Sequence, residues 1–151
     1  MNNIELRPVE PADSRFLLDL ANDPEIAARS SYSIPIPQDE HEAWFQKKIS
    51  DPHCRIMIAT INNAPIGQIR TDVVDGETVI SIGLTKENRK KGYGVSVLVK
   101  RCQMAPGLYA AHVLKDNGPS LRAFEKAGFK RINDAEPKRV KMIFDNRCDG
   151  L

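Results

Sequence analysis

A short basic segment with two glycines is the part of the sequence best suited to chemistry. It reads Arg89-Lys90-Lys91-Gly92-Tyr93-Gly94, between an apolar run that ends at Leu84 and a segment with one apolar helical face, 95–102. Glycine lets the backbone approach a ligand closely, a helix N-terminus offers free N–H groups, and basic side chains add charge. The segment therefore favours a cradle for a pyrophosphate group. Considered alone, it fits a solvated basic turn equally well.

Two common phosphate-binding patterns do not match this segment. The phosphate loop of nucleotide hydrolases needs a longer spacing that ends in Gly-Lys-Ser or Gly-Lys-Thr. A dinucleotide fold needs three spaced glycines and an acidic residue downstream. Identification of the segment therefore depends on a second signal elsewhere in the chain.

That second signal is the run from Asn117 to Phe129, which reads NGPSLRAFEKAGF and follows the next apolar strand. Together, the two segments and the order of elements over nearly the whole chain resemble the Gcn5-related N-acetyltransferase (GNAT) family. The first motif of that family is Arg/Gln-x-x-Gly-x-Gly/Ala, and Arg89, Gly92 and Gly94 occupy its positions here. The resemblance implies that main-chain amides of this loop hold the pyrophosphate of acetyl coenzyme A (acetyl-CoA), the acetyl donor.

The resemblance also gives a role to the strand before the loop. In the family this strand carries a bulge whose free amides bind the pantetheine arm and polarise the thioester carbonyl, and residues 82–84 match that stretch. A backbone donor there can stabilise a developing oxyanion, and Gly83 would ease the bulge. Gly83 as simple packing relief is the other interpretation. The cofactor-binding residues predicted in this way are Ile82, Gly83, Leu84, Arg89, Lys90, Lys91, Gly92, Tyr93, Gly94, Asn117, Ser120 and Phe124.

The residues that transfer protons in many GNAT enzymes are missing from their usual positions. A glutamate at the start of the bulged strand often acts as the base, but Val79 occupies that position and the nearest carboxylate is Glu77. Glu77 lies on the same face of the strand and is the predicted catalytic base, acting through water. A solvated turn residue is the alternative. The usual acid is a tyrosine in the second motif, where Phe124 stands, so no acid is predicted.

The N-terminal half resembles a narrower group, acetyltransferases that act on nucleotide-linked amino sugars. The similarity depends on NDPEI...S.S..IP...EHEAWF and on IGQIR. His41 and Trp44 would share a helical face, where they could stack on a sugar or base and accept a proton. A core tryptophan beside a satisfied histidine is the competing interpretation. Arg29 and Ser30 are the predicted contacts for acceptor phosphates.

The predicted reaction is direct transfer of an acetyl group to the primary amine of a small acceptor, and two other functions stay open. A protein or peptide acetyltransferase would need a groove that binds an extended peptide by its main chain. The basic residues Lys47, Lys48, Arg55 and Arg70 instead favour an anionic acceptor. The two missing proton-transfer residues suggest a catalytically silent acyl-CoA-binding module.

The remaining pattern predicts the elements that position these residues. The connection from Asp23 to Gln38, rich in proline and serine, is expected to be irregular or partly helical. The fold class is α/β of the α+β type, and the resemblance implies the GNAT fold, a mixed and mostly antiparallel sheet flanked by helices and splayed between its fourth and fifth strands. Strands are predicted at 4–7, 55–61, 65–74, 78–84, 108–114, 129–132 and 139–144, and helices at 13–22, 39–49, 95–102 and 119–127.

Length and composition bound the remaining possibilities. The chain has 151 residues, and 22 Lys or Arg against 20 Asp or Glu give a net charge of +2, too balanced for a general nucleic-acid binder. One domain over 1–151 is expected, with the order of residues 145–151 left open. The sequence predicts neither a leader nor a membrane span, so we expect a cytoplasmic monomer or homodimer. Three separated cysteines favour reduced thiols without a metal.

Overall fold

The computed structural model describes residues 3–30, 32–133 and 136–147. The strands of this part of the chain are β1 (Ile4–Pro8), β2 (Cys54–Ile61), β3 (Ala64–Val74), β4 (Glu77–Leu84), β5 (Leu108–Leu114), β6 (Lys130–Ile132) and β7 (Arg139–Asp145). Its α-helices are α1 (Ser14–Ala21), α2 (Pro24–Ser30), α3 (Gln38–Ile49), α4 (Tyr93–Gln103) and α5 (Gly118–Lys126). Short 3₁₀ helices, Pro11–Asp13 and Lys86–Asn88, precede α1 and the basic loop.

The strands form one sheet in the order β1-β2-β3-β4-β5-β7-β6. Neighbouring strands are antiparallel except β4 and β5, which run parallel. These two strands pair at two positions, Thr78 with Tyr109 and Val79 with Ala110, and then separate. The predicted mixed, mostly antiparallel sheet with a splay between its fourth and fifth strands is therefore confirmed.

Alternation along the strands divides the buried side chains between the two faces of the sheet. On one face, Ile80 and Tyr109 belong to a core that includes Leu98 of α4. On the other face, Ile58 packs with Phe45 of α3. The first of these faces is called the α4 face below, and the second the α3 face. Where the two strands separate, Ile80 of β4 and Ala111 and Val113 of β5 belong to the core on the α4 face.

Two capping residues set the helix starts that matter for the site. At α2, the carboxylate of Asp23 accepts a hydrogen bond from the N–H of Glu25 at 2.9 Å. At α5, the side chain of Asn117 accepts one from the N–H of Ser120 at 3.3 Å. Gly128 follows α5 with a φ of 107°, in the left-handed region that favours glycine. Local sequence thus determines where both helices begin and where α5 ends.

Asp13 stands directly before α1 and is of a residue type that often caps helices. It does not cap α1 with its side chain; its buried carboxylate accepts hydrogen bonds from Arg7 at 2.8 and 2.9 Å. The connection that follows α1 is partly helical, as expected, because Pro24 fits the first turn of α2, where a missing N–H costs nothing. Cys54 and Cys102 carry free thiols, and Cys148 and residues 149–151 lie outside the described residues.

A buried arginine is the least usual feature of the core. Arg101, in α4, is 7% exposed, and its guanidinium donates a hydrogen bond to Thr71 Oγ1 at 3.2 Å. Its guanidinium carbon lies 5.9 Å from the centroid of the Tyr109 ring. Among the described residues no carboxylate pairs with this guanidinium, and its Nε lacks a hydrogen-bond partner. Burial of a charge without a counter-charge opposes folding.

We therefore expect R101M to have a free energy of unfolding equal to or above that of the unmodified chain, because it removes the charge and keeps the packing. R101A should lose about 2–4 kcal/mol, because it also leaves a cavity. Urea unfolding followed by fluorescence measures both variants. Equal losses in the two variants would show that the hydrogen bonds of the guanidinium outweigh the cost of its burial.

Candidate active site

A cavity of about 1,080 Å³ opens where β4 and β5 separate. Its walls include residues 80–84 of β4 and residues 111–114 of β5. The basic loop closes one end, and residues of α1, α2 and α3 line the α3 face. The cavity therefore joins the two sides of the sheet through the gap between the strands.

The basic loop presents open backbone to this cavity. Gly92 has a φ of 80° and immediately precedes α4, whose first N–H groups have no partner within the helix. A Cβ added at Gly92 would meet no atom within 4 Å, and one at Gly94 would meet only Leu84 Cδ1, at 3.9 Å. Lys90 also lines the cavity, whereas Lys91 is exposed and does not. Open N–H groups beside a cation suit a diphosphate.

Arg89 takes a different position from the one the motif suggests. Its Nε donates a hydrogen bond to the carbonyl of Leu84 at 2.9 Å. The two terminal nitrogens contact carboxylates of the α2 region, Glu25 at 2.5 Å and Asp23 at 3.1 Å. Burial opposes the charge on Asp23, but hydrogen bonds from Arg89 and from backbone N–H groups lower the pKa of that carboxyl. The guanidinium therefore fastens the end of β4 to α2, although it borders the cavity.

The edge of β4 that faces the gap has no strand partner beyond Val79. No bulge occurs in this stretch, because the register of β3 with β4 runs without a shift from Gly67 opposite Leu84 to Val74 opposite Glu77. The opening thus comes from the separation of two strands. Its main-chain groups are available to an extended ligand, as those of any strand edge are.

Glycines allow β4 to pack closely on both sides. A Cβ at Gly83 would lie 3.3 Å from Ile26 Cδ1 and 3.7 Å from Leu20 Cδ2, so this glycine relieves packing against α1 and α2. A Cβ at Gly67 would lie 2.3 Å from the carbonyl oxygen of Gly83. Gly67 was not among the predicted site residues, and it is required for the close approach of β3 to the cavity edge.

The second motif places three predicted residues on the cavity wall. Asn117 and Ser120 line it at the start of α5, where the Asn117 side chain acts as the helix cap. Phe124 is 3% exposed and contacts Phe129 edge to face, with ring centroids 5.0 Å apart. Phe124 also borders the cavity, and its ring has no proton to give. No acid is found at the position where the family most often has one.

Glu77, the predicted base, does not lie on the cavity wall. It begins β4, in the part that still pairs with β5, and its carboxylate accepts a hydrogen bond from Lys141 of β7 at 2.8 Å. The structure therefore does not bring Glu77 together with the other predicted residues. Its proposed role in proton transfer stays a prediction without support from the geometry.

The four predicted acceptor residues all line the cavity on the α3 face, but three are held by internal contacts. Arg29 pairs with Glu25 at 3.0 Å, and Ser30 donates to the carbonyl of Ile26 at 2.8 Å. His41 is 4% exposed, and its Nε2 lies 3.0 Å from the carbonyl oxygen of Ser14. Since a carbonyl only accepts, this nitrogen carries a proton. Trp44 is half-buried and faces the cavity.

Arg70 of β3, which the sequence analysis named only for its charge, is one of several further polar residues of the cavity. Its guanidinium carbon lies 5.7 Å from the centroid of the Trp44 ring, and its Nε donates to Asp72 at 2.9 Å. Lys48 donates to the same carboxylate at 3.2 Å. Burial opposes the charge on Asp72, but Arg70 and Lys48 lower the pKa of its carboxyl. Gln68 of β3 and Ser81 of β4 also line the cavity. Alternation along the two strands could have placed both residues on one face with Arg70.

A mixed sheet whose fourth and fifth strands separate around a cavity is the architecture that the motif-based resemblance implies. The sequence profile of the family described as "Acetyltransferase (GNAT) domain" matches residues 3–130. The chain therefore belongs to this family, and the motif-based resemblance is confirmed at that level. It is an N-acetyltransferase whose donor is acetyl-CoA. No protein of curated function matches the chain by sequence.

Solved structures with the same fold include two whose bound molecules are known. A spermidine N-acetyltransferase from Vibrio cholerae, with CoA and spermine, has a TM-score of 0.83 at 18% identity over 95% of each chain. The aminoglycoside acetyltransferase AAC(6')-Ib, with coenzyme A and kanamycin, has a TM-score of 0.81 at 18% identity over 95% of each chain. An acetyltransferase from Thermus thermophilus has a TM-score of 0.80 at 18% identity, over 96% of this chain and 99% of that one.

Two further observations concern the described residues alone. No helix among them is long and apolar enough to cross a membrane. Within the same ranges, no group of three or more His, Cys, Asp or Glu side chains is placed to hold a metal ion. The expectations of a cytoplasmic location and of a monomer or homodimer stay predictions.

Gly92 and Gly76 form a matched pair for a test of the loop. Both have a φ near 80°, at 80° and 81°, and neither has an atom within 4 Å of an added Cβ. We expect G92A and G76A each to lower the free energy of unfolding by about 1 kcal/mol through backbone strain. Only G92A should weaken CoA binding, by about tenfold or more, because its methyl group enters the space of the diphosphate.

Isothermal calorimetry with CoA measures the two dissociation constants, and urea unfolding measures the strain. Gly76 lies in the turn between β3 and β4, away from the cavity, so its variant controls for lost stability. Unchanged affinity in G92A would remove the diphosphate from this loop.

Proposed function

We propose that this enzyme transfers the acetyl group of acetyl-CoA directly to the primary amine of a small acceptor bound on the α3 face. The observation that carries the proposal is the single cavity that joins the open loop at Gly92 to Trp44 on the α3 face through the gap between β4 and β5. A donor along the strand edge and an acceptor from the α3 face would meet in this gap. No covalent enzyme intermediate is then required.

The residues present fit acetyl-CoA, which supplies an activated thioester. The open backbone around Gly92 and the charge of Lys90 suit its diphosphate. The unpaired edge of β4 offers N–H groups to an extended amide-containing arm and to the developing oxyanion. Since Phe124 cannot act as an acid, the leaving thiolate takes its proton from water.

The acceptor proposed here carries an anionic group, and a nucleotide-linked amino sugar has the required chemistry. Arg70 binds Asp72 through its Nε at 2.9 Å and offers its terminal nitrogens to a phosphate, and Trp44 offers a ring face to a base or sugar. The α3-face carboxylate Glu25 is already paired with Arg29 and Arg89. Among the described residues that line this side of the cavity, Glu40 is therefore the only carboxylate without an arginine partner, and the only one open to a cationic acceptor.

The structural relatives suggest the competing acceptors. The spermidine and aminoglycoside enzymes act on polycations by name, and they share only the fold with this chain, at 18% identity. A thiol-release assay compares a nucleotide-linked amino sugar, spermidine, an aminoglycoside and a basic peptide at equal concentrations. We expect the highest kcat/KM with the nucleotide-linked amino sugar. Turnover of spermidine or the peptide alone would overturn the anionic acceptor and leave the transferase reaction in place.

The role of Arg70 is tested by R70Q with R55Q as its control. Arg55 is an exposed arginine of β2 outside the cavity. We expect R70Q to lower kcat/KM for the anionic acceptor by about 10- to 100-fold, the loss of one or two charge-assisted hydrogen bonds. R55Q should stay within about twofold, and the affinity for CoA should be unchanged in both variants. Equal values in R70Q and R55Q would remove Arg70 from the acceptor site.

A further inference from the structure

His112 of β5 lies where β4 and β5 separate, on the α3 face, from which an acceptor would enter. The last paired residues of the two strands are Val79 and Ala110. Two residues further on, Ser81 and His112 therefore lie level with each other across the gap. Both residues line the cavity, and His112 is exposed to it.

The face that His112 occupies follows from its neighbours in β5. Ala111 and Val113 belong to the core on the α4 face, so His112 points to the α3 face. Ile80 belongs to the same core, which places Ser81 on the α3 face too. The hydroxyl of Ser81 lies 3.5 Å from a terminal nitrogen of Arg70, beside Trp44. The imidazole and the acceptor residues thus border the gap from opposite strands on one face.

From this arrangement we propose that His112 is the general base that takes a proton from the acceptor amine. The inference rests on the proposed acetyl transfer. The nitrogen–carbon bond to the acetyl group forms, the carbon–sulfur bond breaks, and one N–H proton passes to the imidazole. The thiolate takes a proton from water and the imidazolium releases its proton to solvent, which balances the reaction. Imidazole is suited to such transfer near neutral pH.

The other candidate bases are less well placed. His41 has a protonated Nε2 against a carbonyl and is 4% exposed. Glu25 is paired with two arginines, and Glu77 lies outside the cavity. Glu40 lines the cavity from the first turn of α3 and is the remaining rival. It belongs to a helix, whereas His112 belongs to a strand that forms the gap.

Charged groups from several elements pair with His112 or line the same cavity. Lys141 of β7 is its cross-strand partner and pairs with Glu77 of β4 at 2.8 Å. Arg139 of β7 and Arg70 of β3 line the same cavity. The loop and the helices add Glu25, Arg29, Glu40, Lys90, Arg122 and Lys126. Single variants are therefore needed to separate the effect of His112 on the rate from the effects of its neighbours.

The first test requires no turnover. The chain contains three histidines, so the ring resonances are assigned by the variants H41Q, H53Q and H112Q. On addition of acetyl-CoA, the His112 ring signals in a ¹H–¹⁵N spectrum should shift, and those of His53, an exposed histidine outside the cavity, should not. Unmoved His112 signals would overturn the inference even if no acceptor were turned over.

The second test is kinetic. H112Q should lower kcat at pH 7 by about 100-fold or more, with the KM for the acceptor and the affinity for CoA within about twofold. The loss should shrink toward pH 9, where more of the amine is already neutral. H53Q should retain the unmodified rate and profile, E40Q and E77Q test the two rival carboxylates, and urea unfolding checks that H112Q folds. A full rate in H112Q, or a loss in E40Q instead, would overturn the role of His112.

Discussion

The two-residue pairing of β4 with β5 is the constraint on which the rest of the structure depends. Main-chain N–H and C=O groups are paired almost everywhere in folded proteins, since an unpaired buried group is costly. Beyond Val79 and Ala110 the two strands leave such groups facing a cavity. The gap is thus a place where the sheet is incomplete without a ligand or water. Both the donor and the acceptor sides of the proposed reaction derive from it.

The gap keeps its shape because each of its two edges is fully paired on the other side. β4 is aligned with β3 at eight positions, and β5 with β7 at seven. Gly67 lets β3 approach the carbonyl of Gly83, and the guanidinium of Arg89 holds the carbonyl of Leu84 at the end of β4. The opening is therefore built into the sheet and does not depend on flexible segments.

Short-range patterns predicted the architecture, because strand alternation, helix periodicity and the glycine loop are all local. The position of Gly92 before α4 followed from its neighbours in sequence. The contacts of Arg89 with Glu25 and of Glu77 with Lys141 each join residues 64 positions apart. No local pattern contains such information. Arg89 was therefore predicted to bind the cofactor and Glu77 to act as the base, although Arg89 is bound to Glu25 and Glu77 to Lys141. His112 was missed, and Arg70 was named only for its charge, because alternation indicates a face but not where a sheet opens.

The ion pair between Arg89 and Asp23 is lost at low pH, and the pKa of Asp23 determines where. Despite burial, hydrogen bonds from Arg89 and the backbone lower that pKa in the folded chain. A carboxyl with a lowered pKa adds stability at pH values above the ordinary range of aspartate, about 3.9, and that contribution disappears as the pH falls through the lowered value. At pH 5 the acceptor amine is therefore protonated and cannot attack, whereas Asp23 is still ionised and its ion pair with Arg89 still holds α2 to the sheet.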